Sequence, residues 1–212
     1  MVRQSAAHRL IVEGRDDKWS IISLMAKHGW DWDSGASHLP YIYNAEGVEH
    51  ALEGIAVSVR TYLRVGIVLD ADLVPMDRWS AVRNRLSSSG LQLPGSPDPD
   101  GTIIVQQQKH VGIWLMPDNR NPGKLEDFLT VLIPNGNRSW PWAEQATSKA
   151  KSEYDAEFSD LNIIKAKIHT WLAWQGEPGQ PFGTAITAAT FAHDAVLATK
   201  FVNWMKRLFS DP

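Results

Sequence analysis

The sequence predicts an α/β fold in which helices flank a mostly parallel sheet, followed by a C-terminal helical extension. Up to Leu86, short apolar runs alternate with segments whose apolar residues recur at helical spacing. After about residue 140 the helical spacing continues, and strand patterns no longer interrupt it. Alternation of this kind is typical of right-handed β-α-β units, and therefore of a parallel sheet.

Three short apolar runs predict the strands of the first part. Parallel strands are covered on both faces, so they appear as continuous apolar runs without strict alternation. The three runs are Arg9–Glu13, Leu39–Tyr43 and Val65–Leu69. Pro40 places the second run at its start or at an edge of the sheet. The third run is the clearest buried strand in the chain.

Helical spacing fills the segments after these strands. The three predicted helices are Asp17–His28, Glu46–Arg60 and Met76–Leu86. Gly29 directly follows the first helix and would end it. Pro75 lies in the first turn of the third, where proline is tolerated.

The second half begins with a loop rich in Pro, Gly and Ser, at about residues 87–101. Thr102–Val105 and Val111–Met116 are predicted as strands that could form a hairpin, and Lys124–Ile133 as a helix. Further helices are predicted at residues 142–154, 161–175 and 194–209. We therefore expect an α/β core at residues 1–135 and a helical extension at 136–212, packed together as one compact unit.

Composition excludes several classes of protein. The chain has no cysteine, so it has no disulfides, thiolate zinc sites or cysteine nucleophile. Its apolar runs are too short for a signal peptide or a membrane helix, so we expect a cytoplasmic protein without membrane contact. The net charge of −3 conceals no basic half, so we do not expect tight nucleic-acid binding by this chain alone.

Two acidic clusters follow two of the predicted strands. Glu13 ends the first strand, and Asp17 lies one helical turn later. Asp70 follows the third strand, and Asp72 comes shortly after it. If these strands are neighbours, the four carboxylates lie at one edge of the sheet, where such folds bind ligands. Clustered carboxylates repel one another unless a cation neutralises them, and hard oxygen ligands select Mg²⁺ or Mn²⁺.

Each acid also has an ordinary structural interpretation. Asp17 suits a helix N-terminus, where a negative charge interacts favourably with the helix dipole. Asp16 could cap the same helix, and we expect it to cap and not to ligate. Asp72 could be a solvated loop residue.

The strings IVEGRDD and VGIVLDADLVPMDRW resemble the TOPRIM domain of topoisomerases, primases and OLD-type nucleases. That family places a Glu after its first strand and Asp-x-Asp after its third. The spacing from Glu13 to Asp17 is similar to the Glu-Gly-x-x-Asp form of the OLD branch. The strings VGIWLMPDN, GKLEDFL and KAKIHTWLAW resemble a group of small, stand-alone prokaryotic TOPRIM proteins of unassigned function. With them the resemblance covers most of the chain and implies a TOPRIM-like core.

The resemblance implies a divalent-metal site, with Mg²⁺ or Mn²⁺, that cleaves or transfers phosphodiester bonds. Glu13 would be a metal ligand or a general acid/base. Asp70 and Asp72 would be the ligands opposite it, and Asp17 would share the first metal.

OLD-type nucleases also use a downstream acid and a lysine. Glu126 is the candidate acid and metal ligand, although a helix-start residue would look the same. Lys165 and Lys167 are both candidates for the lysine, because they flank an apolar stripe from which either could reach over the sheet edge. Lys124 is a weaker third candidate. Such a lysine would stabilise charge on a transferring phosphate.

The favoured function is therefore a nuclease-like enzyme acting on nucleic acid, with DNA favoured over RNA. OLD-type proteins pair TOPRIM with an ATPase, and no phosphate-binding Gly-x-x-x-x-Gly-Lys-Ser/Thr loop occurs here. The resemblance thus implies a separate ATPase partner and a role in defence against foreign DNA. Two alternatives stay open: a catalytically silent TOPRIM-fold binding or regulatory module, and a receiver-like signalling domain. The second is weaker because a receiver would use neither Glu13 nor Asp72.

Other residues are expected to be structural. His169 is predicted to be exposed, and the remaining histidines share no metal-ligand spacing. Trp114, Trp171 and Trp174 are predicted to lie in the core.

Overall fold

The computed structural model describes residues 7–106 and 108–210. Within those two stretches, five strands form one sheet and eight α-helices surround it. The strands are β1 (His8–Val12), β2 (Tyr41–Asn44), β3 (Arg64–Asp70), β4 (Thr102–Gln106) and β5 (Lys109–Met116). The helices are α1 (Arg15–Lys27), α2 (Val48–Thr61), α3 (Pro75–Ser87), α4 (Leu125–Val131), α5 (Ser139–Glu153), α6 (Ile163–Ala173), α7 (Phe182–Thr187) and α8 (Val196–Phe209). A 3-10 turn at Asp160–Asn162 precedes α6.

The sheet has the strand order β2-β1-β3-β5-β4. Every neighbouring pair is parallel except β4 and β5, which are antiparallel. The predicted α/β class, with a mostly parallel sheet between helices and helices at the C-terminal end, is confirmed. Strand ends differ slightly from the prediction, because Glu13 lies just beyond β1 and Pro40 just before β2.

The alternation of side chains along β3 divides the core into two layers. Val65, Ile67 and Leu69 face α2 and α3 on one side of the sheet. Val68 faces the other side, where α1, α4 and the C-terminal helices pack. Asp70 shares the parity of Val68, so its side chain belongs to the face covered by the C-terminal helices.

The last helix approaches the sheet unusually closely at two paired glycines. Gly66 of β3 and Gly112 of β5 are register partners. A Cβ atom at Gly66 would collide with Leu10 and meet the ring of Phe209, and one at Gly112 would collide with Leu208. Because glycine has no side chain, these two positions let α8 pack directly against β3 and β5.

The C-terminal part is a helical layer that shares its core with the sheet. Ile168, Trp171 and Phe201 are buried in the same cluster as residues of β1, β3 and β5. The predicted core positions of Trp171 and Trp114 are confirmed, whereas Trp174 is half exposed. It lies beyond the last turn of α6, where the helix stripe no longer faces the sheet. In the described residues, none of the helices has both the length and the apolar character needed to cross a membrane.

Helix α7 is absent from the sequence prediction. It is short, and Gly183 near its start lowers its intrinsic helix propensity. A Cβ at Gly183 would lie 2.8 Å from the backbone oxygen of Trp19, so α7 packs directly on the backbone of α1. Tertiary contact with α1 stabilises this helix, and local sequence preference contributes little.

Candidate functional site

The adjacency of β1 and β3 brings the two acidic clusters together. Val12 of β1 pairs with Val68 of β3, so Glu13 emerges beside Asp70 at the same edge. Oε1 of Glu13 accepts a hydrogen bond from the backbone N–H of Asp70, at 2.8 Å. The strand adjacency on which the predicted carboxylate cluster depended is therefore present.

Asp17 joins this pair from the first turn of α1. Its Oδ2 accepts a hydrogen bond from the backbone N–H of Gly14, at 3.0 Å, and the side chain closes the helix N-terminus. Only 8% of the residue is exposed. The capping role expected of Asp16 thus belongs to Asp17, and the carboxylate of Asp16 instead faces Lys165.

Helix α4 adds a fourth acid. Oδ1 of Asp70 accepts a hydrogen bond from the backbone N–H of Leu125, at 3.0 Å, which fixes the start of α4 against the end of β3. The next residue, Glu126, is only 7% exposed. Its Oε1 lies 3.3 Å from Nζ of Lys165, which also lies 3.7 Å from Oδ2 of Asp16.

The carboxylates destabilise one another's charge. Burial raises the pKa of Asp70 to about 8, and the neighbouring charges of Asp17, Glu13 and Glu126 add to the shift. Burial likewise raises the pKa of Asp17 to about 7, assisted by the charge of Glu13. The pKa of Glu13 is also raised by burial, despite the hydrogen bond from Asp70 and the attraction of Arg78. The cluster therefore retains protons near neutral pH unless another cation replaces them.

Lys165 provides positive charge at the mouth of this cluster. Burial acts to lower the pKa of its amine, but the carboxylates of Glu126 and Asp16 outweigh burial and raise it. The side chain is 46% exposed, so the ammonium can meet both the acids and an incoming ligand. Of the two lysines left open by the sequence, Lys165 is the one at the cleft.

Lys167 lies elsewhere. Its Nζ is 3.5 Å from Oε1 of Glu144, on α5, and it does not line the carboxylate cleft. The two lysines are two positions apart, and a helix turns by about 200° over that interval, so they must occupy different faces. His169 is exposed, as predicted, and its ring stacks on Phe182 at 4.9 Å between centroids.

Asp72 sits beside the cluster in a different electrostatic environment. Nη2 of Arg78 lies 2.5 Å from its Oδ2, and Nζ of Lys124 lies 3.5 Å from its Oδ1. Its backbone pairs with Gly123 through two hydrogen bonds of 2.8 and 3.0 Å. The protein's own cations thus already compensate this carboxylate, unlike those of the buried group.

Arg78 is a residue that the sequence analysis missed. Its Nε donates to the backbone carbonyl of Asp70 at 2.9 Å, while the same guanidinium binds Asp72. It therefore clamps both ends of the Asp70–Asp72 segment. The available signal was its position, eight residues after Asp70 and near the start of α3, but an arginine there is not distinctive on its own.

The acids open onto a cleft of about 610 Å³. Its wall combines the strand ends, the start of α1, the start of α4 and the segment leading into α6. The lining residues are Glu13, Gly14, Arg15, Asp16, Asp17, Asn44, Glu46, Gly47, Asp70, Lys124, Leu125, Glu126, Leu161, Asn162, Ile164 and Lys165. The size suits a small ligand or one nucleotide unit of a longer one.

The donor chemistry of the cluster fits a hard divalent cation. Glu13 and Asp70 each accept one backbone N–H bond on a single carboxylate oxygen, and Asp17 accepts backbone N–H bonds from Gly14 and from its own residue. The second oxygen of Glu13 and that of Asp70 receive no backbone bond among these contacts, and each could serve as a ligand. Across the described stretches, no three His, Asp or Glu side chains already stand in a closed ligand set. A metal would therefore draw the carboxylates together while displacing protons from them.

Comparison with known proteins gives one family. Among curated proteins and among solved structures, nothing matches the chain significantly. A family profile described as "Protein of unknown function (DUF3226)" matches residues 7–210, which include every residue of the cleft. The chain therefore belongs to the DUF3226 family.

Proposed function

We propose that this protein is a divalent-metal-dependent enzyme that cleaves or transfers phosphodiester bonds in nucleic acid, with DNA the favoured substrate. One observation carries the proposal: Glu13, Asp17, Asp70 and Glu126 are held together in a cleft where burial raises the pKa of the first three and repulsion from neighbouring carboxylates adds to the shift. Strongly perturbed acids of this kind concentrate at functional sites. The resemblance to the TOPRIM domain, carried by the same acids, supports the same chemistry.

Glu13, Asp17 and Asp70 would hold Mg²⁺ or Mn²⁺, with Glu126 as a further ligand. When bound, the metal would polarise a phosphoryl oxygen and lower the pKa of a water molecule. The chain's own contribution is to keep three carboxylate oxygens in place through backbone N–H bonds from Gly14, Asp70 and Leu125.

Lys165 would act on the substrate. Its ammonium stays charged because Glu126 and Asp16 raise its pKa, and it stands at the mouth of the cleft. There it would bind the phosphate and stabilise negative charge that develops during transfer. Lys167, paired with Glu144, would have no part in this step.

A separate ATPase partner, acting with this chain in the cytoplasm, belongs to the same proposal. It rests on the resemblance to OLD-type nucleases, in which an ATPase accompanies TOPRIM. The net charge of −3 is in keeping with a chain that obtains part of its affinity for nucleic acid from a partner.

A binding or regulatory module without catalysis is the second candidate. It is favoured by Asp72, whose carboxylate is already engaged by Arg78 and Lys124. If Asp72 stays paired with Arg78 and Lys124 when substrate is present, it cannot bind the metal as the sequence predicted.

Cleavage of supercoiled plasmid and of single-stranded DNA in Mg²⁺ or Mn²⁺ tests the proposal. Wild type is compared with Glu13→Gln, Asp70→Asn and Lys165→Ala, with Glu153→Gln as a control because Glu153 is an exposed acid on α5. We expect metal-dependent cutting that falls at least 100-fold in the three variants and is unchanged in the control.

Two results would reject parts of this assignment. Cutting that survives both Glu13→Gln and Asp70→Asn would place the activity outside the cleft. Absence of cutting, together with Mg²⁺ binding that requires Glu13 and Asp70, would favour the partner-dependent enzyme or the binding module. Calorimetric titration with Mg²⁺ supplies that second measurement.

A further inference from the structure

A second cavity, of about 560 Å³, lies beside the carboxylate cleft between α1 and α7. Its lining residues are Arg15, Asp16, Trp19, Ser23, Pro181, Phe182, Gly183, Thr184 and Thr187. Arg15 and Asp16 line both spaces, so the two cavities lie side by side along the start of α1. A ligand longer than one residue could therefore occupy both.

Trp19 gives this cavity an aromatic surface. Trp79, Trp114, Trp171 and Trp204 are fully buried, but Trp19 is 48% exposed within a concave site. The close packing of Gly183 on the Trp19 carbonyl holds the backbone that carries the ring in place. An exposed indole on a fixed backbone is the kind of surface on which a nucleobase stacks.

Positive charge lies between the indole and the acids. Within residues 7–106 and 108–210, Arg15 makes no ion pair, and its side chain is exposed. Asp16, the acid of this cavity, faces the ammonium of Lys165 at 3.7 Å, which offsets its charge. The route from Trp19 to the carboxylate cleft therefore passes one uncompensated guanidinium, suited to a phosphate.

We propose that this second cavity binds a nucleotide of single-stranded nucleic acid that flanks the reacting phosphodiester. The base stacks on Trp19, Arg15 binds the adjoining phosphate, and the strand continues into the carboxylate cleft. This proposal rests on the function proposed above, and it specifies that the substrate is single-stranded at this cavity. A paired base is stacked inside its duplex and cannot reach the indole, so the cavity selects an unpaired strand.

Fluorescence anisotropy with labelled oligonucleotides tests this without relying on cleavage. The probes are a 12-mer of thymidylate, a 12-mer of uridylate and a duplex of equal length, all measured in EDTA. Stacking on one aromatic ring changes affinity by about 5- to 150-fold. We therefore expect Trp19→Ala to weaken single-strand binding by about 10-fold or more, and Trp19→Phe to retain most of it.

Trp142→Ala is the matched control, because Trp142 is 65% exposed on α5 and lines neither cavity. It should bind both single strands as wild type does. Arg15→Ala should weaken binding and reduce the slope of log affinity against log salt by about 0.7, the value for one phosphate contact on a single strand. The tighter of the DNA and RNA probes identifies the natural strand.

Single-strand affinity that is equal in wild type and Trp19→Ala would overturn the proposal. So would undetectable single-strand binding by wild type, or duplex binding that equals single-strand binding. The Trp19 variants should keep the Mg²⁺ affinity of wild type, because Trp19 lies outside the carboxylate cleft. The metal-dependent function is tested separately, by the Glu13 and Asp70 variants.

Discussion

The backbone N–H of Asp70 donates a 2.8 Å hydrogen bond to Oε1 of Glu13, linking the two strand ends that carry the central acids. The bond stabilises the charged form of Glu13, yet burial still raises the pKa of that carboxyl. Geometry and electrostatics are thus opposed: the fold holds the acids together although their charges repel. Four predictions follow from this opposition and from the residues around it.

Removing the charge of Asp70 should stabilise the metal-free protein. Asp70→Asn keeps a group that can accept the Leu125 N–H bond, but it removes a buried carboxylate that three other acids oppose. At pH 8.5 we expect a gain of about 1–3 kcal/mol, or roughly 3–10 °C in melting temperature for a chain of this size. Differential scanning calorimetry measures it, and Mg²⁺ should no longer raise the melting temperature of this variant. A loss of stability at that pH would contradict the assigned repulsion.

Stability of the metal-free protein should fall as pH rises from about 4 to about 8. The pKa values of Asp17 and Asp70 are about 7 and 8 in the folded protein, above their ordinary value of 3.8. The folded state therefore binds more protons than the unfolded state across that range, and raising the pH removes this advantage. Each group contributes a slope of at most about 1.4 kcal/mol per pH unit.

Urea denaturation in EDTA at pH 5, 6.5 and 8 measures this dependence. The lowered pKa values of Asp100 and Asp118 act in the opposite direction, but those groups titrate below pH 4. Burial lowers the pKa of His169, which also acts in the opposite direction as the pH approaches 6.5, but this one group offsets only part of the effect of the two aspartates. A free energy of unfolding that increases steadily up to pH 8 would show that the acids are not mutually destabilised.

Magnesium binding should release protons near neutral pH. Metal ligation requires deprotonated carboxylates, whereas Asp70 and about half of the Asp17 population hold protons at pH 7. Calorimetric titrations of Mg²⁺ in buffers of different ionisation enthalpy should yield about one and a half protons released per metal at pH 7, and close to none at pH 9. An apparent binding enthalpy independent of the buffer at pH 7 would be incompatible with this site.

Arg78 should support the fold of the site more than an ordinary helix arginine does. Its guanidinium, in a side chain only 13% exposed, binds both the carbonyl of Asp70 and the carboxylate of Asp72. We expect Arg78→Met to reduce the free energy of unfolding by about 1.5–3 kcal/mol, because charge-assisted bonds are lost and their acceptors remain.

Arg85→Met is the control, since Arg85 is an exposed residue of the same helix. Its free energy of unfolding should change by less than about 0.5 kcal/mol. Arg78→Lys separates charge from geometry: a lysine can neutralise Asp72 but cannot also donate to Asp70, so it should recover only part of the loss. Urea denaturation of the three variants measures both effects. An equal decrease in the free energy of unfolding for Arg78→Met and Arg85→Met would show that Arg78 does not support the site.

The strands were predictable because buried parallel strands are continuous apolar runs, and the acids Glu13 and Asp70 were predictable because they directly follow two such runs. The choice between Lys165 and Lys167 was not, because it depends on which face α6 turns to the sheet. Asp16 and Arg78 were also misassigned or missed, since their partners, Lys165 and Asp72, are fixed by tertiary packing. Helix α7 escaped prediction for the same reason: its stability comes from contact with α1.

The glycines at positions 66 and 112 also constrain how related sequences can diverge. Each depends on the bulk of the facing residues, Phe209 and Leu208, although about a hundred residues or more separate them along the chain. A larger residue at position 112 would be tolerated only where a smaller one replaces Leu208 on α8, and one at position 66 only where both Leu10 on β1 and Phe209 leave room. These positions should therefore covary among members of the family, and their substitutions should be inherited together.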